Sequence, residues 1–177
     1  MLKIIYADDA QYFASGVQKL LEGYANDIRF VGIIPTLDEL DCAMDSHSPD
    51  VLLLDISFGE GEAGSLYENG IDYARSYLER NDTNPNRAKI IIFSQYDNKK
   101  IVDKAFSYGI SSYLSKNVEP ADLYKAIKLV VSGQEYVEPN IAKILAEGVL
   151  RRNKPKSGNS TNPYDDLSER EKLIFIK

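Results

Sequence analysis

Five residues able to do chemistry stand at the ends of short apolar runs in this 177-residue chain. Asp8 and Asp9 follow LKIIYA, Asp55 follows VLLL, Ser94 closes AKIIIFS, and Lys116 follows ISSYLS. A charge buried without a partner is expensive, so an apolar run ending on a carboxylate calls for a counter-ion or a chemical role. Three carboxylates brought together repel, and some take up protons unless a cation compensates. A hard divalent ion with oxygen ligands compensates most simply, and Mg2+ takes a few protein oxygens while keeping several waters. An acidic cleft of this kind beside a lysine and a hydroxyl suits phosphoryl transfer, where positioning and charge neutralisation supply most of the catalysis. Asp55 can then be a nucleophile, because a carboxylate is able to form an aspartyl phosphate.

The five residues meet only if the runs are neighbouring strands. LKIIYA (2–7), IRFVGII (28–34), DVLLLD (50–55), AKIIIFS (88–94) and ISSYLS (110–115) are short and rich in Ile, Val or Leu, and several are almost continuously apolar. Strands covered on both faces read this way. Helix-period segments lie between them: Phe13, Val17, Leu20, Leu21 and Tyr24 in 11–24, Ile101, Val102, Ala105 and Phe106 in 97–108, and Leu123, Ile127 and Val130 in 119–132. Alternating strands and helices predict a doubly wound α/β domain, a parallel sheet with helices on both faces, over residues 1–135. Ligands of such sheets sit beyond the carboxyl ends of the strands, which is where all five residues fall.

The remainder is organised differently. PNIAKILAEGVLRRN (139–153) reads as an amphipathic helix with Pro139 at its start. KPKSGNSTNP (154–163) has no apolar residue and reads as a flexible linker. In the tail, Ser168 and Glu171 form a capping-box pattern ahead of an apolar run, opening a further helix. The expected division is therefore 1–135, a linker helix and flexible linker over 136–164, and a new module from 165 to 177.

Charge and composition exclude several classes. Lys and Arg number 21 against 27 Asp and Glu, a net charge of −6, which argues against nucleic-acid binding through bulk charge but leaves room for a separate basic module. The single cysteine, Cys42, excludes an internal disulfide, fits a reducing compartment and is expected as a small residue on a helix face. No apolar stretch approaches the roughly 20 residues that span a bilayer, and the N-terminus lacks the features of a signal peptide. A cytoplasmic protein without membrane contact is expected. His47, the only histidine, precedes Pro49 near a helix end and is expected at the surface.

YADDA (6–10), VLLLDIS (51–57), IIIFSQYD (90–97) and GISSYLSKN (109–117) together resemble the four signature stretches of bacterial two-component response-regulator receiver domains. The resemblance covers residues 2 to 135 in the right order and implies a flavodoxin-like, five-stranded (βα)5 fold. It also implies that Asp55 accepts a phosphoryl group from a sensor histidine kinase. Asp9 and Asp55 would hold Mg2+ directly, with the Ser57 backbone carbonyl as a further ligand and Asp8 acting through water. Lys116 and Ser94 would bond phosphoryl oxygens, and Tyr113 matches the switch aromatic, expected to turn inward as Ser94 engages. Such a chain catalyses only its own phosphorylation and dephosphorylation. The stretch after residue 97 looks most like the NarL/LuxR-type subfamily, in which a linker leads to a helix-turn-helix that binds DNA and controls transcription. DDLSEREKLIFI resembles the first part of that module, which needs about fifty more residues, recognition helix included; the tail is accordingly expected to be a truncated helix-turn-helix, and DNA contact to depend on what is missing. A kinase docking near residues 11–24 and homodimerisation on phosphorylation are implied as well, with Val130 and Val131 weighed as dimer contacts against a place in the core.

The pattern departs from the family in one place. Receiver domains usually carry a short loop with a proline and then a glycine after the phosphorylated aspartate. Here position 59 is Gly, and the matching glycine is Gly70. Residues 59–69 thus contain an insertion beside the site, with Glu60 and Glu62 read as solvated charges. Two rival readings fit the residues less well. A stand-alone receiver acting by protein contact is disfavoured by the LSERE tail. A haloacid-dehalogenase-type phosphohydrolase needs a second aspartate two residues after the first, and Ser57 stands there instead.

Overall fold

The computed structural model describes residues 1–58 and 69–152. Six strands form one sheet: β1 (Leu2–Ala7), β2 (Ile28–Ile34), β3 (Val51–Leu54), β4 (Lys89–Ser94), β5 (Ser112–Ser115) and β6 (Tyr136–Val137). Their order is β2-β1-β3-β4-β5-β6, and every pairing is parallel. Six α-helices connect or follow them: α1 (Gln11–Leu20), α2 (Leu37–His47), α3 (Gly70–Arg80), α4 (Lys99–Ser107), α5 (Pro120–Val131) and α6 (Pro139–Arg152). This is the flavodoxin-like architecture expected, with a short sixth strand added to the five.

The continuous apolar runs have a simple cause. Successive residues of a strand point to opposite faces, and both faces are covered here. Ile4, Tyr6, Val51, Leu53, Ile91, Phe93 and Leu114 pack with α1 and α5 through Ala14, Val17, Leu123, Ile127 and Val130. The alternate positions Ile5, Ala7, Leu52, Leu54, Ile90, Ile92 and Tyr113 pack with Leu40 and Met44 of α2, Ile71 and Tyr73 of α3, and Val102 of α4. Fully burying a Leu or Ile side chain contributes about 1.5–3 kcal/mol, so the two layers fix the strand ends firmly. Val130 is buried in the α5 layer and Val131 packs partly against it, which removes Val130 as a contact surface for a second copy.

Local signals place the helices. Asn69 caps α3 by accepting from the Asp72 N–H at 3.1 Å, Asn98 caps α4 by accepting from Ile101 at 3.1 Å, and Pro120 occupies the first turn of α5. His47 and Cys42 are exposed on α2, as expected. β6 lies in the stretch read as linker. It joins the edge of β5, where the Ser112 hydroxyl donates to the Tyr136 carbonyl at 2.6 Å. Glu138 continues the edge with its side chain, accepting from the Ser115 N–H at 2.6 Å, and Ile141 of α6 is fully buried in the α4 layer. Among the described residues no helix is long and apolar enough to cross a membrane. The expectations for most of the 59–69 insertion, the 154–163 linker and the 165–177 tail lie outside the described residues.

Candidate functional site

Asp8, Asp55 and Lys116 each sit one step past a strand whose ladder still holds the backbone. The Asp8 N–H donates to Ile34 O at 3.1 Å, Asp55 N–H to Ala7 O at 3.0 Å, and Lys116 N–H to Ser94 O at 3.0 Å. The register pairs Ala7 with Leu54 and Ser94 with Ser115, so the residues that follow emerge side by side. The parallel sheet thereby delivers Asp8, Asp55 and Lys116 to one edge.

There the Lys116 ammonium lies 2.8 Å from Asp8 Oδ2 and 3.0 Å from Asp55 Oδ2, with the Phe13 ring 5.0 Å from its nitrogen. Burial alone would lower the Lys116 pKa; the hydrogen bonds and charges of the two carboxylates outweigh it and raise the pKa above that of an ordinary lysine. Asp8 and Asp55 are almost wholly buried, and Asp9 is exposed. Asp55 Oδ1 accepts from the Ile56 N–H at 2.8 Å, and Oδ2 also accepts from the Ser57 hydroxyl at 2.6 Å. Asp8 Oδ1 accepts from Ala10 N–H at 2.9 Å, and Oδ2 also accepts from the Tyr6 hydroxyl at 2.6 Å. Burial first, then the Asp8 bond, pushes the Tyr6 phenol far above its usual range, so it remains a donor.

Asp8, Asp9 and Asp55 each offer a carboxylate oxygen, and these atoms lie within 4.8 Å of one another. Three carboxylates against one ammonium leave two uncompensated negative charges. An all-oxygen, carboxylate donor set with one exposed member fits a hard divalent cation that retains water. The acidic cluster therefore has the donors and the charge for a metal ion.

Ser94 and Tyr113 stand on the β4–β5 side, both fully buried. Ser94 Oγ accepts from the Tyr96 N–H at 3.3 Å, and the Tyr113 hydroxyl donates to the Tyr96 carbonyl. The Tyr113 ring is thus already buried with no phosphoryl group bound, and burial followed by the charges of Asp97 and Asp55 raises its pKa well above the ordinary phenol value. Gly70 has a steric reason: a Cβ there would lie 2.0 Å from the Asp55 backbone oxygen, and its N–H bonds Ile56 O at 3.0 Å. Sequence reasoning passed over Tyr6, Phe13 and Tyr96 as partners of the site. Tyr6 was findable, since residues two apart on a strand share a face and Asp8 follows Tyr6 by two.

A family model for the response regulator receiver domain matches residues 4–128. Among curated relatives, the oxygen regulatory protein NreC of Staphylococcus aureus is 29% identical over 174 residues, 98% of this chain and 75% of the relative. Among solved structures, a LuxR-family two-component response regulator from an Aurantimonas species superposes with a TM-score of 0.72 at 25% identity, over 85% of this chain and 99% of that one. RcsB of Salmonella enterica serovar Typhimurium, bound to the rprA promoter in the presence of phosphomimetic BeF3-, gives 0.71 at 25% identity, over 88% of this chain and 73% of that one. The chain belongs to the response regulator receiver domain family, as the receiver of a NarL/LuxR-type two-component response regulator. Members of this family are generally not enzymes acting on other molecules.

Proposed function

We propose that Asp55 is the phosphoacceptor of this receiver. The observation that carries the reading is the single Lys116 ammonium shared between Asp8 and Asp55 at the strand edge. An Asp55 carboxylate oxygen attacks the phosphorus of a phosphohistidine on a sensor kinase. The new O–P bond forms as the P–N bond breaks, and the imidazole leaves with the electron pair. Asp9 and Asp55, with the Ser57 carbonyl and with Asp8 through water, would hold Mg2+. When bound, that ion supplies charge neutralisation for the phosphoryl oxygens. Lys116 then moves its bond to one phosphoryl oxygen and Ser94 bonds another. Tyr113 couples that change to α4 and β5. Beyond this self-modification the chain carries no catalysis of its own.

The kinase docks on α1, where Tyr12 is 97% exposed beside Phe13 and Leu20. A groove of about 260 Å³ there is lined by Phe13, Val17, Leu20, Pro120 and Leu123 and reaches Lys116. Phosphorylation then favours a homodimer that acts on promoters through a C-terminal DNA-binding module in the cytoplasm. The promoter-bound structures of RcsB support that output. Residues 1–135 would form the receiver, 136–164 the linker helix and flexible linker, and 165–177 the first part of the helix-turn-helix. The test is incubation with acetyl phosphate, with and without Mg2+. A Mg2+-dependent, base-labile gain of one phosphoryl group that Asp55→Asn abolishes is expected, and a gain that survives Asp55→Asn overturns the assignment.

A further inference from the structure

The hydroxyl of Tyr6 is at odds with its surroundings. Tyr6 lies in β1 among Ile4, Ile5 and Ala7, all fully buried, and packs against Phe93 with ring centroids 5.9 Å apart. Phenylalanine would fill that space without bringing a polar atom that must find a partner there. The partner is Asp8 Oδ2 at 2.6 Å, the oxygen that Lys116 also bonds at 2.8 Å. A carboxylate has about four lone-pair sites, two on each oxygen. On Asp8, Tyr6 and Lys116 take both sites of Oδ2, and the Ala10 N–H takes one of Oδ1.

We propose that Tyr6 is a positioning residue of the metal site, whose hydroxyl occupies Asp8 Oδ2 and weakens the claim of Asp8 on a divalent cation, leaving Asp9 and Asp55 as the direct ligands. Orientation alone does not require Tyr6, because Ala10 and Lys116 already hold the Asp8 carboxylate from two sides. Its added effect is on charge. A donor on a carboxylate draws off electron density that a cation would otherwise use, so hydroxyl and cation compete for the same anion. Tyr6 has a second consequence at the same atom. When Lys116 transfers its bond to a phosphoryl oxygen, Tyr6 remains on Asp8 Oδ2, and the buried carboxylate is not stripped of donors on that side.

The proposal rests on reading Asp8, Asp9 and Asp55 as the metal site. The experiment titrates Mg2+ into the full chain by calorimetry for wild type, Tyr6→Phe, Asp8→Asn and the double variant. Tyr6→Phe is expected to tighten the Mg2+ Kd about three- to tenfold, a fraction of what a hydrogen bond to a charged group is worth. In the Asp8→Asn background the same substitution should leave Kd unchanged, which separates action through Asp8 from a packing effect that would appear in both. A Kd that Tyr6→Phe leaves unchanged or weakens, or an equal shift in both backgrounds, overturns the proposal. Wild-type protein that binds no Mg2+ overturns the site reading as well. A measurement on the wild-type chain holds even where a variant does not fold: the Tyr6 13Cζ resonance should move with Mg2+ along the calorimetric isotherm, and a stationary resonance contradicts the proposal.

Discussion

On the β1–β3 side of the site, Asp8 and Asp55 are joined through one ammonium, and every bond that holds their carboxylates comes from a charged group, a hydroxyl or a nearby N–H. On the β4–β5 side, Ser94 and Tyr113 are both joined to Tyr96, which lies between the end of β4 and the start of α4. The first arrangement is set by charge and backed by two neighbouring strands. The second is set by neutral bonds to the backbone of one loop residue. Charge-assisted hydrogen bonds are roughly twice as strong as neutral ones, so the two sides differ in what each can give up. The tyrosine side, held by neutral bonds, gives up its partners at lower cost than the carboxylate side.

Four substitutions break or sharpen this contrast. Lys116→Met removes the ammonium shared by two buried carboxylates and should cost about 3 kcal/mol of stability in metal-free buffer. Urea unfolding with and without Mg2+ checks it: part of the loss should return with the cation, and an equal loss in both buffers would mean that charge does not set this side. Gly70→Ala drives a methyl toward the Asp55 carbonyl oxygen, where the built Cβ lies only 2.0 Å away, and should cost about 2 kcal/mol as α3 backs away. Its urea midpoint shift should exceed that of Gly23→Ala, since nothing lies within 4 Å of a Cβ at Gly23. Tyr113→Phe deletes one neutral hydrogen bond and should cost about 1 kcal/mol, with faster amide exchange around Tyr96 and no change in Mg2+ affinity. That last outcome sets it apart from Tyr6→Phe, although both remove a single buried phenolic hydroxyl. Ser94→Ala loses the longer 3.3 Å contact and should cost about 0.5 kcal/mol, read as the smallest shift in urea midpoint.

The parts of the molecule that sequence disclosed are those whose signal is local. Strands buried on both faces wrote themselves as runs such as VLLL and KIIIF, and these two ended at Asp55 and Ser94. The order of the strands then placed Asp8, Asp55, Ser94 and Lys116 together, because a doubly wound sheet has one ligand edge. Other features had weaker or no local signal. α2 buries only Leu37, Leu40 and Met44 in an otherwise acidic segment, and β6 is two residues long, too short for any period to show. Tyr6 looked like one more core residue in LKIIYA, since nothing in composition says whether a buried phenol is there for its ring or its hydroxyl. The inward seat of Tyr113 against Tyr96 depends on a loop conformation that spacing does not encode. The value of Gly70 was visible only as a displaced motif position; its reason, the approach of the Asp55 carbonyl, is a contact between β3 and α3.

The assignment of Asp55 as phosphoacceptor is tested most directly by locating the phosphoryl group. After treatment with acetyl phosphate and Mg2+, borohydride reduces an aspartyl phosphate to homoserine, and peptide sequencing then reads the modified position. Homoserine at position 55 alone, absent when Mg2+ is withheld, is the expected result. Homoserine at position 8 or 9, or none at any aspartate under conditions where the folded protein binds Mg2+, would contradict it.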